Sequence, residues 1–113
     1  MPYPRLTADL NKLRHNLDLL VAICHQNGIQ MAAVTKVVCA DPRIVALIQE
    51  SEADILADAR IRNLQAMQTT KPRMLVRLSM PSEVDHVVRY ADISLQSEVH
   101  TLRCLGEAAT RQD

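Results

Sequence analysis

Lys36 is the residue whose type and position are best suited to covalent chemistry. It follows a nearly continuous apolar run, residues 29–35, which predicts a buried strand of a parallel sheet. Ligands bind at the carboxyl ends of such strands. The flanking Ala33, Val34, Val37 and Val38 are expected to desolvate the side chain, which favours the neutral amine that forms imines with aldehydes. Position alone fits a surface lysine at a strand end at least as well.

The elements that would position Lys36 alternate between strands and helices. Short apolar runs predict strands at residues 5–8, 29–35, 53–57, 73–78 and 92–95. Apolar residues at helical spacing predict a helix after each of them. Five βα units with short connections predict a parallel sheet with crossover helices. Periodicity alone leaves open a doubly wound sheet or a (β/α)8 barrel.

The helix ends carry local signals. Asp9 is expected to cap the first helix, and Gly28 to end it because glycine adopts the left-handed conformation at little cost. Asp41 and Pro42 are the expected N-cap and first residue of the second helix. The apolar face predicted for the first helix comprises Leu10, Leu13, Leu17, Leu20 and Cys24.

Composition argues against several classes of protein. The 13 Lys and Arg balance the 13 Asp and Glu, and 2 Tyr are the only aromatic residues, so binding to nucleic acid or an anionic membrane is not expected. No apolar run approaches the roughly 18 residues of a membrane span, and no signal peptide is recognised. Two glycines are too few for a nucleotide phosphate loop. Three scattered cysteines predict neither disulfides nor a metal site, and a reducing cytoplasm is the expected compartment.

Three segments resemble the N-terminal barrel of fold-type III pyridoxal-phosphate enzymes, specifically their alanine/ornithine racemase branch. Residues 33–42, AVTKVVCADP, are similar to the family's A-V-x-K followed by V-x-C-G-D-P. Residues 58–63, DARIRN, are similar to D-S-R-x-x-N, and residues 94–98, SLQSE, to Ser-x-x-Glu. Ala40 and Ala59 replace the family's glycine and serine. A positive φ at position 40 would disfavour alanine.

The resemblance implies a (β/α)8 barrel, of which residues 1–113 would be about the first five βα units, with no second domain. It implies that Lys36 forms the internal aldimine with pyridoxal 5'-phosphate. Lys36 would also act as one of two bases that move the α-proton of a small amino-acid substrate. The family's phosphate loop and second base, the latter commonly from a partner subunit, belong to later parts of the chain. A full barrel needs about 250 residues, so we expect an incomplete chain that is inactive alone and a homo-oligomer, a dimer, at full length.

Other residues near the expected site are expected to have structural roles. Arg60 and Asn63 are expected to hold their βα connection together rather than enter the site. Cys39 is expected to be a small buried residue, and the four histidines to lie on helix surfaces. Three functions therefore remain open: a racemase, a non-catalytic pyridoxal-phosphate-binding or homeostasis protein, and a half-barrel interaction module.

Overall fold

The computed structural model describes residues 3–113, which form a parallel sheet of four strands with five α-helices. One-turn 3-10 helices at Lys36–Val38 and Pro81–Glu83 precede the second and fourth α-helices. In chain order the elements are α1 Leu10–Gln26, β1 Ala32–Val34, α2 Pro42–Glu50, β2 Ile55–Asp58, α3 Ile61–Ala66, β3 Arg73–Leu75, α4 Val84–Tyr90, β4 Ile93–Ser94 and α5 Val99–Gln112.

The four described strands are hydrogen-bonded in the order in which they occur in the chain, β1-β2-β3-β4, and every pair is parallel. A doubly wound sheet reverses its strand order at a switch point, whereas a (β/α)8 barrel adds strands in one direction. The observed order therefore favours the barrel among the two architectures that periodicity left open.

The helices cover one face of this sheet. Side chains alternate between the two faces of a strand, so Ala33, Leu56 and Leu75 share a face. All three are buried in a single apolar core with residues of the first four helices. The helices contribute Leu17, Val21, Ile44, Val45, Ile48, Leu64 and Val87 to that core, and Met67 joins it directly after α3.

The opposite face of the sheet is apolar and open. Val34, Ile55, Met74 and Ile93 lie on it and all keep contact with solvent. The chain measures 46 × 45 × 23 Å, with a radius of gyration of 16.0 Å. A compact domain of this length has a radius of gyration of about 13 Å. The fold is thus a two-layer slab with one uncovered side.

Several strand predictions were wrong, and the strand predicted at residues 73–78 is reduced to Arg73–Leu75. Residues 5–8 form no strand, because no neighbouring strand pairs with them, and Leu6 is 84% exposed. The predicted strand at 29–35 is reduced to Ala32–Val34. The Ile29 amide donates instead to the Cys24 carbonyl at the end of α1, at 2.9 Å. The apolar runs in the sequence are therefore longer than the segments that pair in the sheet.

The predicted helix caps are confirmed. Asp9 Oδ1 accepts hydrogen bonds from the amides of Asn11 and Lys12 at 3.0 and 3.1 Å, and Gly28 ends α1 with a φ of 69°. The apolar face of α1 was partly wrong, because Leu20 is 51% exposed and Val21 is buried in its place. None of the helices in residues 3–113 is long and apolar enough to cross a membrane.

Candidate functional site

Lys36 lies at the carboxyl edge of the sheet, two residues after β1 ends at Val34. It is the first residue of the 3-10 turn Lys36–Val38, and its side chain is exposed. The amine makes no hydrogen bond or ion pair with any residue among 3–113. An exposed primary amine thus lies at the edge of the sheet where parallel α/β folds bind ligands.

The expected apolar wall around Lys36 is wrong. Val37 is 85% exposed and Val34 is 45% exposed, so neither shields the lysine from water. Val34 points to the open face of the sheet, and Val37 lies in the turn beyond it. Shielding of Lys36 requires a covering layer on the open face, which residues 3–113 do not supply.

The backbone immediately before Lys36 is firmly held. Thr35 is 1% exposed, and its amide donates to the Ala57 carbonyl at 3.0 Å. Its own carbonyl accepts from the amides of Val38 and Ala40 at 3.1 and 3.2 Å. Its hydroxyl donates to Asp58 Oδ2 at 2.7 Å. Thr35 therefore ties the start of the turn to the end of β2.

Asp58 is the centre of a buried polar cluster beneath that turn. It is completely buried, and Oδ1 accepts from the Arg60 amide at 2.9 Å and from Asn63 Nδ2 at 3.0 Å. With Thr35, all three partners are donors, and the two carboxyl oxygens of Asp58 accept from them. Asn63 thus holds the connection after β2, as expected, while the Arg60 side chain is exposed and contributes through its backbone.

Sequence reasoning missed Thr35 and Asp58 as a pair. The available signal was a polar residue at the end of the apolar run 29–35, Thr35, and another directly after the run 53–57, Asp58. Parallel pairing brings those two positions side by side, because Val34 is opposite Ala57.

A left-handed turn leads from Lys36 into α2. Cys39 and Ala40 have φ values of 50° and 53°. Cys39 is exposed, so the expectation of a buried cysteine is wrong: the 3-10 turn carries it away from the core. The positive φ at position 40 gives the physical reason why the family pattern has glycine there.

Asp41 then caps α2 as expected, accepting from the Arg43 amide at 2.9 Å. Hydrogen bonds from the Arg43 side chain and amide hold the pKa of Asp41 below its ordinary value. Asp41 also forms an ion pair with Arg43, so both charged groups are engaged with each other.

Other polar groups at this edge are also engaged with one another. Arg77 donates from Nε to the Ala59 carbonyl and from Nη2 to Glu83, each at 2.8 Å. Gln96 donates to Ser79 Oγ at 2.6 Å. These bonds fasten the connections after β2, β3 and β4, so Lys36 is the uncommitted amine of this edge within residues 3–113.

Comparison with known proteins identifies relatives of this chain. No family model matches it. It is 44% identical over 108 residues to an ornithine racemase of Acetoanaerobium sticklandii, covering 95% of this chain and 31% of that protein. It is 35% identical over 110 residues to a lysine racemase of Thermotoga maritima, with the same two coverages.

A solved structure, the alanine racemase of Clostridium difficile 630, superimposes with a TM-score of 0.77 at 17% identity. The match covers 91% of this chain and 28% of that one. At this identity the likeness concerns the fold, and with the strand order it defines the chain as the first part of a (β/α)8 barrel. The chain has a family relationship with the alanine/ornithine racemases over most of its length, which confirms the resemblance. It spans about a third, 31%, of the length of the curated relatives it matches.

Proposed function

We propose that this chain carries the cofactor lysine, Lys36, of a pyridoxal-phosphate-dependent amino-acid racemase. The supporting observation is the position of Lys36, an exposed and uncommitted amine at the carboxyl edge of β1 in a barrel related to racemases. A primary amine in this place fits an aldehyde cofactor, because imine formation needs an accessible lysine that no carboxylate already pairs.

The proposed division of labour follows from the chemistry of the groups. When bound, pyridoxal 5'-phosphate supplies an electron-withdrawing ring that acidifies the α-proton of an amino acid. Lys36 Nζ would hold the aldehyde carbon of the cofactor. When free, the same atom would take or return the α-proton on one face of the substrate. A second base for the other face and the groups that bind the phosphate would come from outside these residues.

Exposure of Lys36 leads us to propose that the 113-residue chain does not racemise amino acids alone. Water reaches the lysine from the open face of the sheet, and proton transfer needs a shielded, oriented substrate. The complete site would therefore need a layer that covers the open face of the sheet. It would also need a second subunit in a homodimer, as the resemblance to the racemase family implies. We propose a cytoplasmic enzyme of small amino acids, without nucleic-acid or membrane partners.

The substrate class proposed is an amino acid with a second amine on its side chain. The two curated relatives are named for ornithine and lysine, which share that feature. A non-catalytic pyridoxal-phosphate-binding protein is the second candidate, favoured by the same exposed lysine. Conversion of L- to D-ornithine, measured on a complex in which the barrel is complete, distinguishes these two functions. The racemase would carry out this conversion, and the non-catalytic binding protein would not.

The chain offers a direct test, because it has three lysines in three environments. Lys71 Nζ is held by the carbonyls of Ser51 and Ala53 at 2.9 and 2.6 Å, and Lys12 lies exposed on α1. We expect pyridoxal phosphate followed by borohydride reduction to label Lys36 in preference to the other two in a complex in which the barrel is complete, because the groups that bind the cofactor phosphate would then hold it beside Lys36. Peptide mass mapping measures the label.

Two variants control this experiment. Lys36→Arg is expected to remove the selective label together with the imine absorbance, whereas Lys12→Arg should leave both unchanged. Equal labelling of Lys12 and Lys36 in the wild-type complex would contradict the assignment of Lys36 as the cofactor lysine.

A further inference from the structure

We infer that Asp58 is a positioning residue for Lys36, acting through the hydroxyl of Thr35. This inference rests on the proposed function of Lys36 as cofactor lysine. Asp58 reaches across from β2 to the residue directly before Lys36, and the two are joined by the 2.7 Å bond from Thr35 Oγ1 to Asp58 Oδ2.

The hydrogen bond between Thr35 and Asp58 is buried, so its loss would leave a polar atom without a partner in the interior. Asp58 is completely buried and Thr35 is 1% exposed. No cationic side chain of residues 3–113 forms an ion pair with Asp58. A buried carboxylate without a counter-ion is destabilising unless hydrogen-bond donors surround it, so its three donors are needed. Loss of the Thr35 hydroxyl would leave Oδ2 without its hydrogen-bond partner among residues 3–113.

The Thr35 carbonyl transmits this constraint to the turn that carries Lys36. It accepts from the Val38 and Ala40 amides, which closes the turn immediately after the lysine. Cys39 and Ala40 are left-handed in this turn, a conformation that non-glycine residues keep only where the surroundings enforce it. Thr35 holds this turn to the sheet, because its amide donates to the Ala57 carbonyl of β2.

The chain of contacts therefore runs from Asp58 to Thr35 and from Thr35 to the backbone on both sides of the turn. Lys36 is the first residue after the anchored one, so the anchor sets where its Cα lies and in which direction the side chain leaves. Fixing the reacting amine in this way reduces the freedom that must otherwise be lost when a cofactor binds.

Two nearly isosteric variants test the inference without changing the size of the cluster. Asp58→Asn removes one acceptor oxygen, and Thr35→Val removes the hydroxyl. Thr35→Ser keeps the hydroxyl and serves as the rescue variant. Val87→Ala, which shortens a buried side chain in α4, is the control for general destabilisation. Val87 lies in the core and is 2% exposed.

The first measurement is amide hydrogen exchange of the turn at residues 36–41 under conditions where all variants are folded. We expect Val38 and Ala40 to exchange about tenfold faster in Asp58→Asn and Thr35→Val, with Thr35→Ser near the wild type. Val87→Ala should leave these two amides unchanged relative to the rest of the sheet.

The second measurement is the rate of selective pyridoxal-phosphate labelling at Lys36, expected to fall about fivefold in the same two variants and to recover in Thr35→Ser. Unchanged exchange of the turn in both variants would overturn the inference whatever the labelling shows. Accelerated exchange with unselective labelling in the wild type would contradict the cofactor assignment and leave the anchoring of the turn in place.

Discussion

Ala40 shows how a single residue reports on the turn beside Lys36. Its φ of 53° lies in the left-handed region, where the β-carbon of an L-residue meets the following carbonyl oxygen. The family pattern has glycine at this position, and the sequence already indicated that alanine would be disfavoured there if φ were positive. The structure confirms the positive φ, so the turn stores strain at this residue.

Ala40→Gly is therefore expected to raise the free energy of unfolding by about 1 kcal/mol, because glycine adopts this conformation without the clash. Ala46→Gly is the matched control, since Ala46 lies exposed within α2 and glycine weakens a helix by about 1 kcal/mol. Urea unfolding measures both. Destabilisation by Ala40→Gly would contradict the strained turn.

At the scale of elements, the hydrogen bond between His25 and Asp54 joins α1 to the start of the sheet. Asp54 Oδ2 lies 2.8 Å from His25 Nε2 and accepts from the Met31 amide at 2.7 Å. The hydrogen bond from His25, followed by that from Met31, holds the pKa of Asp54 below its ordinary value of 3.8. One carboxylate thereby connects α1, the residue before β1 and the approach to β2.

This pKa shift has a defined consequence for stability. Because the folded pKa is lower than the unfolded one, the stabilisation is fully present above the unfolded value and is lost as pH falls through the folded value. We expect the difference in unfolding free energy between the wild type and Asp54→Asn to shrink as pH falls from about 5 to about 3. Glu52→Gln, at an exposed neighbouring position, is the control. A difference independent of pH would contradict the assignment.

At the scale of the whole molecule, the dominant feature is the open apolar face. The chain exposes 8008 Å², against roughly 6,200 Å² for a compact protein of its mass, an excess of roughly 1,800 Å². An obligate homodimer buries upward of about 1,000 Å² from each partner. A contiguous apolar face of this kind is usually covered by another surface.

The 113-residue chain is accordingly expected to self-associate at micromolar concentration when studied alone, as sedimentation velocity would show. Leu95 continues the open face beyond β4 and is 46% exposed. Leu95→Glu should shift the population towards monomer, because a buried carboxylate opposes association. Leu19→Glu, on the outer surface of α1 with 54% exposure, is the comparison. If only Leu19→Glu produced monomer, α1 rather than the sheet would mediate association.

Several features were predictable because they depend on residues close together in the chain. The caps at Asp9 and Asp41 each bind amides two or three residues away, and Gly28 ends α1 through its own backbone freedom. The family relationship was likewise predictable, since three short motifs carried it and the relatives confirm it. The placement of Lys36 after a parallel strand followed from the apolar run alone.

Contacts between distant residues were decided by the tertiary structure. The hydroxyl of Thr35 meets Asp58 across 23 positions of sequence, and only the register of β1 against β2 brings them together. The exposure of Lys36 and Val37 depends on what packs over the open face, which no local pattern encodes. Local hydrogen bonding thus determined where the elements begin and end, whereas pairing between strands determined what anchors the lysine and what leaves it in water.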